Sequence, residues 1–145
     1  MFNFERRWLV AVFAVVIPSG ADPRMPFGAA QAPMGRFVDD LLEHAPLQFV
    51  LGLRACLWML MLAPLFMLRR FRTFLGVEPS TQLALLERFR ISSIYLVRET
   101  PLLFKTVGCL GFCGLPSVQR QLGIRPTDKT APGWARGLPA AEDEA

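Results

Sequence analysis

Apolar residues run through this chain in blocks with helical spacing, and prolines divide the blocks. "FERRWLVAVFAVVIP" predicts a helix from about Phe4 to Val16, stopped at Pro18. "SGADPRMPFGAAQAP" reads as a loop, and "MGRFVDDLLEH" as a short amphipathic helix. "PLQFVLGLRACLWMLMLA" opens on Pro46, a good first-turn residue, and reaches Pro64. "RRFRTFLGVE" is a basic connector. The stretch from Pro79 to Cys113 predicts one long helix or two, because Pro101 should kink or break it. A short helix, "PSVQRQLG", precedes a tail rich in proline and glycine. No segment alternates with the period of a strand. The expectation is an all-α fold of about five to six helices over residues 1–125, with an extended or disordered tail over residues 126–145.

The block from Pro46 to Leu68 stands out, since only Gln48 and Arg54 in it are strongly polar. Eighteen helical residues span about 27 Å, near the hydrocarbon thickness of a bilayer. The flanking "RRFR", residues 69–72, suits an anionic membrane face. Arg54 opposes spanning, at roughly 2.5–3.5 kcal/mol near a bilayer centre, and neighbouring leucines offset part of that cost. A core helix of a soluble domain should carry a polar stripe, and this one carries almost none. Lipid or another protein chain is expected to cover it.

Composition agrees with the pattern. Hydrophobic residues make up 52% and charged residues 19%, and mean hydropathy is +0.35, which is greasy for a free-standing domain of this size. The net charge of +4 suits an anionic surface or an acidic partner. No basic run with interleaved aromatics occurs, so nucleic acid is not an expected partner. Arg6 and Arg7 ahead of an apolar run imitate a secretory signal, but Glu5 and the following proline turn favour a first core helix.

Candidate chemistry is sparse. Three cysteines make no disulfide framework. Cys109 and Cys113, four apart, share a helix face, but a structural zinc site needs four ligands and the single histidine, His44, is distant in sequence. These thiols and Cys56 are expected to pack in the core. "GCLGFCG" is GxxGxxG after a helix, which is not a dinucleotide fingerprint. Gly114 is expected to end a helix in the left-handed conformation, Pro116 to start the next helix and Gly123 to end it. Asp39, Asp40 and Glu43 read as a solvated face, and Glu87–Arg88 and Arg98–Glu99 as surface pairs. No base, metal set or nucleophile elbow assembles, so no catalytic, cofactor-binding or metal residue is expected in the chain. A thiol enzyme would rest on Cys109 and Cys113 alone.

The order of segments resembles the small helical domain associated with glucose–methanol–choline (GMC) type flavoprotein oxidoreductases. That domain precedes the flavin domain in long-chain fatty alcohol oxidase-like proteins and is similar to the small subunit of gluconate-type dehydrogenases. The likeness covers about residues 4–125. It rests on "RRWLVAVFAVVIP", "VDDLLEHAP", "LGLRACLWML", "RRFRTFLGVEPSTQLALLERFRIS", "LLFKTVGCLGFCG" and "PSVQRQLGI" in that order. Glu78-Pro79 replaces the family's frequent Ser-Pro cap. Phe112-Cys113 and Leu115-Pro116 stand where an aromatic pair and Asp-Pro are usual. The likeness ends about where a flavin domain would begin.

The resemblance implies a non-catalytic small subunit that binds and stabilises a GMC-type FAD-dependent alcohol or sugar dehydrogenase or oxidase. FAD, base and substrate pocket would lie in the partner. The expected contact residues for partner or membrane are Phe49, Leu53, Leu57, Trp58, Met61 and Phe66, the arginines Arg69, Arg70 and Arg72, and Trp134 and Arg136 in "PGWAR" of the tail. The expected location is a membrane, on its cytoplasmic side. The alternative is a small integral membrane protein with its main span at residues 46–68, and shorter candidates at 4–17 and 101–115.

Overall fold

A computed structural model describes residues 1–20, 23, 26–69 and 71–123. Six α-helices follow one another, α1 (Asn3–Val16), α2 (Met34–His44), α3 (Leu47–Leu68), α4 (Pro79–Arg90), α5 (Tyr95–Cys113) and α6 (Pro116–Gln121). Two 3-10 turns, Ala29–Gln31 and Phe74–Gly76, interrupt the connections, and no strand occurs among the described residues. The fold is all-α.

Local chemistry accounts for the helix starts. Pro79 and Pro116 occupy the first turns of α4 and α6, where a missing N–H costs nothing. At α1, Glu5 Oε2 accepts the backbone N–H of Phe2 at 2.7 Å, the back-reaching half of a capping box. Its buried residues Glu5, Leu9, Val12 and Phe13 recur at helical spacing and form one inward face.

Two expected boundaries move. The helix after Pro46 does not stop at Pro64 but runs another turn to Leu68. The ring forfeits the hydrogen bond to the carbonyl four residues back, and the helix continues past it with Pro64 buried. The chain leaves α3 through Arg69, whose φ of 51° is left-handed and whose N–H donates to the Pro64 carbonyl. Between Pro79 and Cys113 the break falls at residues 91–94, not at Pro101. There the hydroxyl of Ser92 accepts the backbone N–H of Ile94 at 3.2 Å, offering the chain an alternative to helical pairing. Pro101 lies inside a continuous α5.

The glycines of "GCLGFCG" let helices approach. A Cβ on Gly108 would stand 3.0 Å from the Phe13 ring, and one on Gly111 would stand 2.5 Å from the Phe37 ring. α5 therefore packs closely on α1 and α2. Gly114 ends α5 with φ −73°, a right-handed value, so the expected left-handed cap is absent there. Gly123, with φ +69°, adopts that conformation after α6.

Candidate functional site

α3 is the centre of the candidate site. Its inward face, Leu53, Cys56, Leu57, Leu60 and Met61, is buried against the other helices of the chain. Leu53, Leu57 and Met61 were expected at an interface, and their exposures of 1%, 0% and 0% place them in the chain's own core instead. They are anchors of the fold and present no surface to a partner. Phe49 and Trp58 are half-buried at the margins, while Phe66, Arg69 and Arg72 are exposed. Arg70, Trp134 and Arg136 lie outside the described residues.

The outward face holds Phe66, an expected contact residue, together with residues the sequence did not single out. Leu47, Leu51, Ala55, Leu62 and Phe66 are exposed, and Phe71 in the following connector is 95% exposed. Their spacings of four and seven keep the α3 members on one side of the helix. The signal was available by counting helical steps outward from Leu53 and Leu57, but an unbroken apolar run conceals which side is inside. The outward stripe extends over about 30 Å at the ordinary helical rise and ends beside Arg69 and Arg72. α3 is the one helix among the described residues long and apolar enough to cross a membrane, and only 39% of its most apolar window is buried.

Arg54 is held by a partner the sequence did not reveal. Its Nε donates to Glu5 Oε1 at 2.7 Å, and Trp58 Nε1 donates to the same oxygen at 2.7 Å. The Arg54 guanidinium also lies 4.9 Å from the centre of the Phe2 ring. Phe4 packs edge-on against Trp8 and Trp58, so an aromatic cluster closes over the ion pair. Glu5 is fully buried. Burial pushes its carboxyl up, but the Phe2 N–H, the Trp58 indole and Arg54 outweigh this and hold it below its ordinary value.

The cysteines divide differently from the expectation. Cys56 is buried in the core, as expected, but Cys109 is half-buried and Cys113 exposed. Both of the latter line an open groove of about 680 Å³ with Leu102, Lys105 and Leu110 on the outside of α5. The inward face of α5 is taken by Phe104, Val107, Gly108, Gly111 and Phe112, which turns positions 109 and 113 outward. Partial burial, then the neighbouring Cys109, pushes the Cys113 thiol above its ordinary value. That suppresses the thiolate at neutral pH.

No group of three His, Cys, Asp or Glu side chains placed to hold a metal occurs among the described residues. Four surface acids are paired: Asp39 with Arg6, Asp40 with His44, Glu87 with Arg90 rather than Arg88, and Glu99 with Arg98. Comparison with protein-family models, with curated proteins and with solved structures returned no match.

Proposed function

We propose that this chain is a non-catalytic helical accessory subunit that docks through the outward face of α3. The segment order it shares with the small helical domain of GMC-type proteins points to a GMC-type FAD-dependent alcohol or sugar oxidoreductase as the partner, with FAD in that partner. One observation carries the reading: α3 is apolar on every side, and its own fold covers only the side bearing Leu53, Leu57 and Met61. At about 25 cal/mol per Å² of apolar surface, covering the row from Leu47 to Phe66 favours association. Exposed apolar rows of this length are uncommon on free monomers.

The integral-membrane reading draws on the 22-residue length of α3. A placement of α3 across the bilayer must also accommodate the Glu5–Arg54 pair. Arg54 sits about 10 Å along α3, and its partner Glu5 precedes Arg6, Arg7 and their neighbour Asp39. A spanning α3 would carry this charged collar into the hydrocarbon with it, at a cost of a few kcal/mol for each unpaired charge. Docking on a protein surface, or lying in a cytoplasmic membrane face with Arg69 and Arg72 towards the headgroups, leaves Arg6, Arg7 and Asp39 in water. Co-expression with a GMC-type flavoprotein from the same genome tests the proposal. A yellow complex containing both chains supports it, and a detergent-free monomer that captures no flavoprotein refutes it.

A further inference from the structure

A groove of about 530 Å³ runs between α1 and α2, away from the outward row of α3. Its polar residues, Asn3, Arg6 and Arg7, come from the first two turns of α1. Its apolar floor, Val10 and Ala14 with Gly35 and Val38, comes from the next turns of α1 and from α2. From Asn3 to Ala14 the helix rises about 16 Å. The groove is open because its walls are small: a Cβ added at Gly35 would meet no atom within 4 Å. The two guanidiniums are not equivalent. Arg6 is fixed by Asp39, whereas Arg7 has no ion pair among the described residues. One fixed and one free cation at the end of an apolar trough, in a volume usual for small-molecule sites, form a charge-and-chain pattern.

We propose that the groove between α1 and α2 binds a single-chain amphiphile with an anionic head, the head on Arg7 and Arg6 and the chain over Val10, Ala11 and Ala14. The charge distribution selects this occupant. A neutral chain would leave the Arg7 guanidinium without a counter-charge, and a compact anion would leave the apolar floor uncovered. A carboxylate or a phosphate monoester satisfies the same donors. This site is independent of docking by α3.

The test uses the full chain held in a non-ionic amphipol, with a dansyl-labelled undecanoate as the fluorescent probe. Saturable binding of one probe per chain is expected. Dodecanoate or dodecyl phosphate, below their micelle-forming concentrations, should displace it, and neutral dodecyl maltoside should not. Displacement by both anions identifies a general anionic-head site, by dodecanoate alone a carboxylate site, and by dodecyl phosphate alone a phosphate-head site. Arg7→Gln should weaken binding about tenfold, the loss of one charge-assisted contact. Gly35→Leu should block the trough, and open space at Gly35 lets this variant fold. Equal displacement by the neutral amphiphile, or unchanged binding in both variants with native circular dichroism, would overturn the proposal. Co-purification of the same variants with the flavoprotein should be unaffected, which separates failure here from failure of the docking reading.

Discussion

Arg54 Nε on α3 meets Glu5 Oε1 on α1 at 2.7 Å, across 49 positions of sequence. The contact joins the first turn of the first helix to the helix that carries the candidate docking face. Removing Arg54 leaves the buried Glu5 carboxylate without its counter-charge. Arg54 is partly exposed and Glu5 keeps its Phe2 and Trp58 donors, so Arg54→Met should destabilise the fold by roughly 1–3 kcal/mol in urea denaturation followed by circular dichroism. Replacing both, Glu5→Leu with Arg54→Leu, should recover part of that loss, since no charge is left unpaired although the Trp58 indole and Phe2 N–H lose their acceptor. Equal losses in the single and double variants would contradict this account of Arg54.

The same carboxyl sets an acid limit. Its folded pKa lies below the ordinary 4.5, so the unfolded chain takes up the proton first as pH falls. The pair's stabilisation is complete above 4.5 and is lost as pH falls through the lower folded value. Urea midpoints should hold steady in this group's contribution near neutrality and decline in acid. Glu5→Gln should flatten the acid limb. An unchanged limb in that variant would assign the acid sensitivity to other carboxyls.

Gly111 and Gly52 give opposite expectations for the same substitution. A Cβ at Gly111 would press the Phe37 ring at 2.5 Å, so Gly111→Ala should cost about 1–3 kcal/mol as overpacking. Gly52 faces open space on the outside of α3, so Gly52→Ala should be neutral or stabilising by about 0.5–1 kcal/mol. Thermal denaturation of the two variants checks both.

Thiol titration separates the three cysteines. Cys109 and Cys113 should react with a thiol reagent in the folded chain, and Cys56 only after unfolding. Reaction at Cys113 should be slow at pH 7 and rise in alkali, because its thiol is pushed up. Replacing Cys109 and Cys113 with serine should leave a partner's activity unchanged. Fast labelling of Cys56 without denaturant would contradict the packing of α3.

Much of the architecture was legible in the sequence, because apolar spacing and proline positions mark helices directly. α1, α2 and α6 follow their patterns. The break at Ser92 was not legible, since a serine hydroxyl competing for one backbone N–H is a weaker signal than Pro101, which the helix nonetheless accommodates. The site was half legible. The sequence singled out α3 as the helix needing cover but placed Leu53, Leu57 and Met61 on the wrong side, because an all-apolar helix has no polar stripe to fix its rotation. The same uncertainty of rotation put Cys109 and Cys113 inside. Gly108 and Gly111 fix α5 by close approach to Phe13 and Phe37, which only the packed structure displays. Glu5 could not be matched to Arg54, because pairs this far apart in sequence leave no local pattern.

The outward face of α3 is the centre of the functional account, and Leu51→Asp with Phe66→Asp tests it most directly. Both side chains are exposed, so the double variant should keep its helical circular dichroism. The full chain is co-expressed with the flavoprotein, and the amount of flavoprotein captured per chain is measured against wild type. Charges at two positions of the docking row should reduce affinity roughly hundredfold or more, the scale of interface hot spots, and the yellow complex should be lost. Wild-type capture by a folded double variant would contradict docking through α3.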